Sequence, residues 1–128
     1  MSERVLKFLG TGGARFVVAK QLRHSGGAWY SRGGVQMLFD PGPGALVRAL
    51  ASRPRLDPAS LDAIALSHRH LDHANDANAV IEAMTAGGTK RRGVLFCPED
   101  CLGEEPAVHR YARDFLDRVE VLREGSAH

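Results

Sequence analysis

The chain has 128 residues, 44% of them hydrophobic and 25% charged, enough for one packed core and too few for two. Its 14 glycines and six prolines are dispersed between apolar runs, which excludes collagen-like and low-complexity architectures. A net charge of +2 gives no case for nucleic-acid binding from bulk charge alone.

Charge is nevertheless uneven, with nine basic and four acidic side chains in residues 1–64 against eight and eleven in residues 65–128. The basic half permits an anionic substrate. No apolar run approaches the roughly 18 residues of a membrane span. Glu3, Arg4 and Lys7 interrupt the stretch where a signal peptide would carry its apolar core. A soluble, cytoplasmic protein with no membrane partner is expected, and in that setting Cys97 and Cys101 read as reduced bystanders.

In chain order, Val5 to Leu9 is a β-prone run that stops at a tight turn, Gly10-Thr11-Gly12-Gly13. Phe16-Val17-Val18 is a second apolar run, and the glycine pairs and aromatics of residues 20–34 suit a hairpin or a surface loop. Val35 to Phe39 reads as a buried strand ended by Asp40-Pro41-Gly42-Pro43-Gly44, where two prolines forbid further ladder pairing. A short helix follows over Ala45 to Ala51, then a turn at Asp57-Pro58-Ala59-Ser60 and a strand over Ala63 to Leu66.

The clearest helix places Ala77, Val80, Ile81 and Met84 on one face, with Asp72 and Asp76 at its positive end and Gly87-Gly88 as its stop. Lys90-Arg91-Arg92 reads as a solvated turn before a strand at Val94 to Phe96. Pro106 opens a second predicted helix with Val108, Tyr111, Ala112 and Phe115 on one face and His109 at its surface, and Val119 to Leu122 is a final strand. Strands alternating with helices indicate an α/β class, and the strand-rich opening favours a mixed sheet.

Three of the six histidines, His68, His70 and His73, fall within six residues together with Asp72. Alternate side chains of an extended segment point the same way, so His68 and His70 can converge on one ion while Asp72 and His73 reach a neighbouring position. Imidazole and carboxylate donors suit Zn²⁺, with Mn²⁺ or Fe²⁺ as alternatives. A polar loop with Asp72 as helix cap would need one carboxylate and would leave three clustered histidines unexplained.

Ser67-His68-Arg69-His70-Leu71-Asp72-His73, preceded by a short apolar strand, resembles the metal-binding motif of the metallo-β-lactamase superfamily. Phe8-Leu9-Gly10-Thr11-Gly12-Gly13 is similar to the opening of its ribonuclease Z-like and phosphodiesterase-like branches, and Leu38-Phe39-Asp40-Pro41-Gly42 resembles the element preceding the motif. The resemblance implies an αββα sandwich with two metal ions, His68 and His70 on the first, Asp72 and His73 on the second, and Asp40 in support. It also implies a zinc-dependent hydrolase in which zinc-bound hydroxide attacks a phosphodiester, small-molecule or nucleic-acid, while Asp72 orients the nucleophile.

Glutamate in place of His70 would have pointed to the di-iron oxidoreductases of the superfamily, and arginine in place of His73 to the branch whose second site is rebuilt around a cysteine. The family pattern continues with a further His, Asp and His, so residues 1–128 resemble a single, incomplete N-terminal half domain. The alternative that follows is a non-catalytic half that binds metal weakly and needs a complementing chain or a homodimer. Phe8, Val17, Met37, Phe39, Leu66 and Leu95 are then the expected exposed apolar face.

Overall fold

A computed structural model describes residues 3–10 and 26–125. The strands are β1 (Arg4–Phe8), β2 (Ala28–Arg32), β3 (Val35–Phe39), β4 (Ala63–Ala65), β5 (Val94–Cys97) and β6 (Arg118–Val121). The helices are α1 (Ala45–Ala51), α2 (Leu71–Ala74), α3 (Ala77–Met84) and α4 (Arg110–Arg113). The expected turn at residues 11–13, the apolar run at 16–18 with Val17, the 20–25 part of the hairpin region and His128 lie outside the described residues.

Among the described residues the strands form one sheet in sequential order. β1, β2 and β3 are antiparallel, and β3 to β6 run parallel. The change of direction follows from the connections. Gly33 and Gly34 take φ of 59° and 82°, the two left-handed positions that a two-residue hairpin turn demands. Each parallel step instead needs a crossover, and α1, the α2–α3 pair and α4 supply one apiece. The mixed sheet expected from the sequence is the one observed.

Register separates the two faces of the sheet. Trp29, Leu38, Ile64 and Leu95 lie side by side across β2 to β5 and are all buried, beneath Ala45 and Ala49 of α1 and Ala77, Val80, Ile81 and Met84 of α3. Each such large side chain contributes on the order of 1.5–3 kcal/mol through removal from water. The indole of Trp29 is also satisfied, donating to Gln36 Oε1 at 2.7 Å.

The opposite face carries three rows, Arg4–Arg32–Val35, Leu6–Tyr30–Met37–Ala63–Val94–Arg118 and Phe8–Ala28–Phe39–Ala65–Phe96–Glu120. Leu6 is 55% exposed and Phe8 65%. Among the described residues the sheet has a helical layer on a single side.

Four expectations are corrected. Leu66 and Leu95 are buried, because they sit one position out of register with Phe8 and Phe39 and so point into the helical layer. The helix predicted from Pro106 is confined to α4. Val108 and Ala112 are buried as the pattern requires, but Tyr111 is exposed.

The third correction concerns Arg92, which is partly buried, whereas Lys90 and Arg91 are exposed as a solvated turn requires. Arg91 Nε donates to Leu116 O at 2.9 Å, and Arg92 donates to Ala59 O and pairs with Asp62. Lastly, Asp72 lies in the separate helix α2, while Asp76 stands at the N-cap of α3 as expected, its carboxylate turned to accept the N–H of Leu46 at 3.1 Å in the first turn of α1.

Gly27 has φ of 70°, and a Cβ there would stand 1.9 Å from Phe39 O and 2.3 Å from Asp40 O. Gly34, with φ of 82°, has nothing within 4 Å of such an atom. Gly27→Ala is therefore expected to cost about 3 kcal/mol or more in denaturant unfolding. Gly34→Ala costs only the left-handed penalty of about 1–2 kcal/mol. Equal midpoints for the two variants would contradict the close approach at Gly27.

Candidate metal centre

Parallel strands deliver their carboxyl ends to one edge of a sheet, where open α/β sheets place ligand sites. β3 ends at Asp40 and β4 ends three residues before His68, with Asp40 N–H bonded to Ala65 O at 2.9 Å. Two neighbouring strand ends therefore bring together segments 27 residues apart in sequence. α2 begins immediately beyond, with His70 as its N-cap residue and Asp72 and His73 inside it.

His68, Asp72 and His73 form one group whose donor atoms all lie within 4.8 Å of one another, each side chain partly buried. The rings of His68 and His73 have centroids 4.1 Å apart, and His73 Nε2 stands 3.2 Å from Asp72 Oδ2. His70 is exposed and set edge-on against His68 at 4.8 Å between centroids. The structure thus draws His68 toward Asp72 and His73 and holds His70 beside them. An imidazole pair with a carboxylate at this spacing fits a divalent cation of the zinc type.

Asp40 organises the group from behind. Its Oδ1 accepts the Ser67 N–H at 2.7 Å, and its Oδ2 accepts the Ser67 hydroxyl at 2.8 Å and lies 3.1 Å from His73 Nδ1. Ser67 Oγ in turn lies 2.9 Å from His68 Nδ1. Because the hydroxyl proton goes to Asp40, His68 Nδ1–H donates to Ser67. His73 Nδ1–H likewise donates to Asp40. Both Nε2 lone pairs are left for a metal, as outer carboxylates commonly arrange for ligating histidines. Asp40 holds this position at φ of 47°, a left-handed conformation that Asp tolerates better than most residues.

Ser67 had no signal in the sequence beyond standing next to His68, because its role depends on Asp40 of another strand. His109 is exposed at the start of α4, its ring stacked on Tyr111 at 5.5 Å. Cys97 and Cys101 are buried. Burial pushes the Cys97 thiol up to about 11, against a smaller lowering by Arg113. Burial, followed by the neighbouring Cys97, pushes Cys101 up to about 12. Both thiols are therefore protonated at neutral pH.

The model of a β-lactamase superfamily domain matches residues 36–121, a span that contains both Asp40 and the histidine motif. The chain belongs to the metallo-β-lactamase superfamily. It is 36% identical over 124 residues to an uncharacterized protein of Methanocaldococcus jannaschii, covering 94% of this chain and 46% of that protein. It is 33% identical over 128 residues to a ribonuclease Z of Kineococcus radiotolerans, covering 98% of this chain and 37% of that one. The chain therefore spans less than half the length of these superfamily relatives.

Two solved structures share the fold at 21% identity. One is a diphosphatase of the PhnP family, with a TM-score of 0.65 over all of this chain and 54% of that one. The other is the metallo-β-lactamase fold protein YhfI of Bacillus subtilis, with a TM-score of 0.59 over 80% and 39%. The fold is the one the sequence motif implied. No helix among the described residues is long and apolar enough to cross a membrane.

Proposed function

We propose that this chain carries the metal-binding half of a zinc-dependent phosphodiester hydrolase. The observation that supports this most is the His68, Asp72 and His73 donor group within 4.8 Å, oriented by Asp40 and Ser67. The similarity to a ribonuclease Z adds support for phosphodiester chemistry. Zn²⁺, with Mn²⁺ or Fe²⁺ as alternatives, would be held by His68, Asp72 and His73, with His70 at hand for the same or a second ion.

A bound divalent cation of this kind supplies Lewis-acid activation of water and of the phosphoryl oxygen. The chain's own residues do the rest. His68 and His73 would hold the cation, Asp40 orients His73 directly and His68 through Ser67, and the Asp72 carboxylate would orient a water and could accept its proton.

A second reading is favoured by the chain's 46% and 37% shares of its relatives' lengths and by the uncovered sheet face. In it, this half binds metal weakly and needs a second copy or a complementing chain for turnover. Metal analysis and hydrolysis of a nitrophenyl phosphodiester test both readings. Purified protein is expected to carry zinc that His68→Ala with His70→Ala removes, and turnover by the isolated chain is expected to be slow or absent. Unchanged zinc stoichiometry in the double variant overturns the site. Turnover that survives Asp72→Ala overturns its assigned role.

A further inference from the structure

A cleft of about 350 Å³ opens beside α2, lined from the motif by Arg69, Leu71 and Ala74. Leu71 and Ala74, three residues apart on α2, form one wall, and Pro106, Ala107 and His109 form the other. Leu71 stands between two motif residues and is 69% exposed, an arrangement that the polar chemistry of a metal site does not require.

The second wall is fixed in place by a side chain of α3. Asn78 Nδ2 donates to Ala107 O at 2.9 Å, and its Oδ1 accepts the His109 N–H at 2.8 Å. The His109 ring is steadied by stacking on Tyr111, with 20° between planes. Across the mouth, Arg69 Nη2 meets Glu105 Oε2 at 3.5 Å, with Glu105 87% exposed. Such an exposed pair is worth little, so an anion can take Arg69 from Glu105 at small cost.

We infer that this cleft is a subsite for the base of a nucleoside phosphate, with Arg69 holding its phosphate side. The volume is at the small end of ligand pockets, which limits the occupant to one ring system. Apolar walls with an aromatic ring at the rim favour a planar group that can stack. The α2 helix that supplies Leu71 and Ala74 also carries Asp72 and His73, so a base in the cleft places its phosphate next to the metal ligands. The inference rests on the reading of that group as a phosphodiester centre and names the substrate class it would take.

Equilibrium dialysis of the chain against AMP, with ribose 5-phosphate as competitor and with zinc added or withheld, tests it. AMP is expected to bind at least about tenfold more tightly than ribose 5-phosphate, a difference of about 1.4 kcal/mol, and to do so with or without zinc. Arg69→Ala and Ala107→Trp, which fills the cleft, should each weaken AMP binding about fivefold or more, while Glu105→Gln should strengthen it about twofold. Arg69 is surface-exposed, so its variant reports even if the tryptophan variant fails to fold.

Ribose 5-phosphate competing as well as AMP would overturn the subsite. So would parental AMP affinity in Arg69→Ala, or a preference for AMP that vanishes without zinc. Failure of the metal centre itself is read separately, from zinc stoichiometry in the histidine variants.

Discussion

Asp40→Asn is expected to lower zinc affinity about 10–100-fold, the range typical of lost partners behind ligating histidines, while leaving a cooperatively folded protein. Asn tolerates the left-handed backbone of position 40 at least as well as Asp, and its amide oxygen can still accept the Ser67 N–H. The change falls at the other atom. Where Asp40 Oδ2 accepts from Ser67 Oγ and faces His73 Nδ1, an amide NH₂ would donate to both.

His73 would then accept at Nδ1 and carry its proton on Nε2, the atom that faces Asp72. Ser67 would turn its hydroxyl proton to His68 Nδ1, and His68 would also carry its proton on Nε2. One substitution outside the donor group thus moves both lone pairs away from it. Zinc competition against a chelating dye measures the affinity, and nitrogen chemical shifts of the two rings report the tautomers. Parental affinity with unchanged tautomers would show that Asp40 does not orient the histidines.

The sequence made visible what short-range patterns encode. Ala77, Val80, Ile81 and Met84 repeat at helical spacing and are buried as that spacing requires. The motif histidines were legible because their spacing is compressed into six residues on a single strand-to-helix turn. Features that depend on distant partners were not legible. Ser67 gains its role from Asp40, and the extended backbone at His109 from Asn78, 31 residues earlier.

That second interaction explains why the helix predicted from Pro106 is short. Asn78 bonds the backbone at Ala107 and His109, and Arg113 Nε bonds Val108 O at 3.0 Å. Groups that a helix would have used internally are thereby engaged from outside, although Val108 and Ala112 keep the burial their spacing implies. Parity was the other obscured quantity. A continuous apolar strand such as Ala63 to Leu66 does not reveal which alternate residues face the helices. Register with Trp29 and Leu38 decides it.

The isolated 128-residue polypeptide is expected to self-associate through its uncovered sheet face, with a second copy as the occupant. Leu6, Phe8, Val35 and Phe39 are exposed on β1 and β3, and Tyr30 and Met37 extend the apolar surface between them. A contiguous patch of this kind is more than monomeric proteins ordinarily leave to water. Among the described residues β1 is also an edge strand, paired with β2 alone, so its outer backbone groups offer a second contact to the same partner.

Lys7 points to the opposite side of the strand, and Arg4 and Arg32 border the apolar patch beside Val35 on the same face, so two copies must meet over the Leu6 and Phe8 rows with these arginines at the rim. Light scattering over a concentration series should show association, with binding of a dye that reports apolar surface at low concentration. Leu6→Lys with Phe8→Lys places two charges on the face without touching the Trp29–Leu38–Ile64–Leu95 core, and should shift the midpoint of association at least about tenfold upward in concentration. Phe39→Lys, on the neighbouring row position, should act in the same direction and guards against a local effect on β1. A compact parental monomer with a cooperative thermal transition and no dye binding would sink the expectation, since the face would then have to be covered from within the same chain.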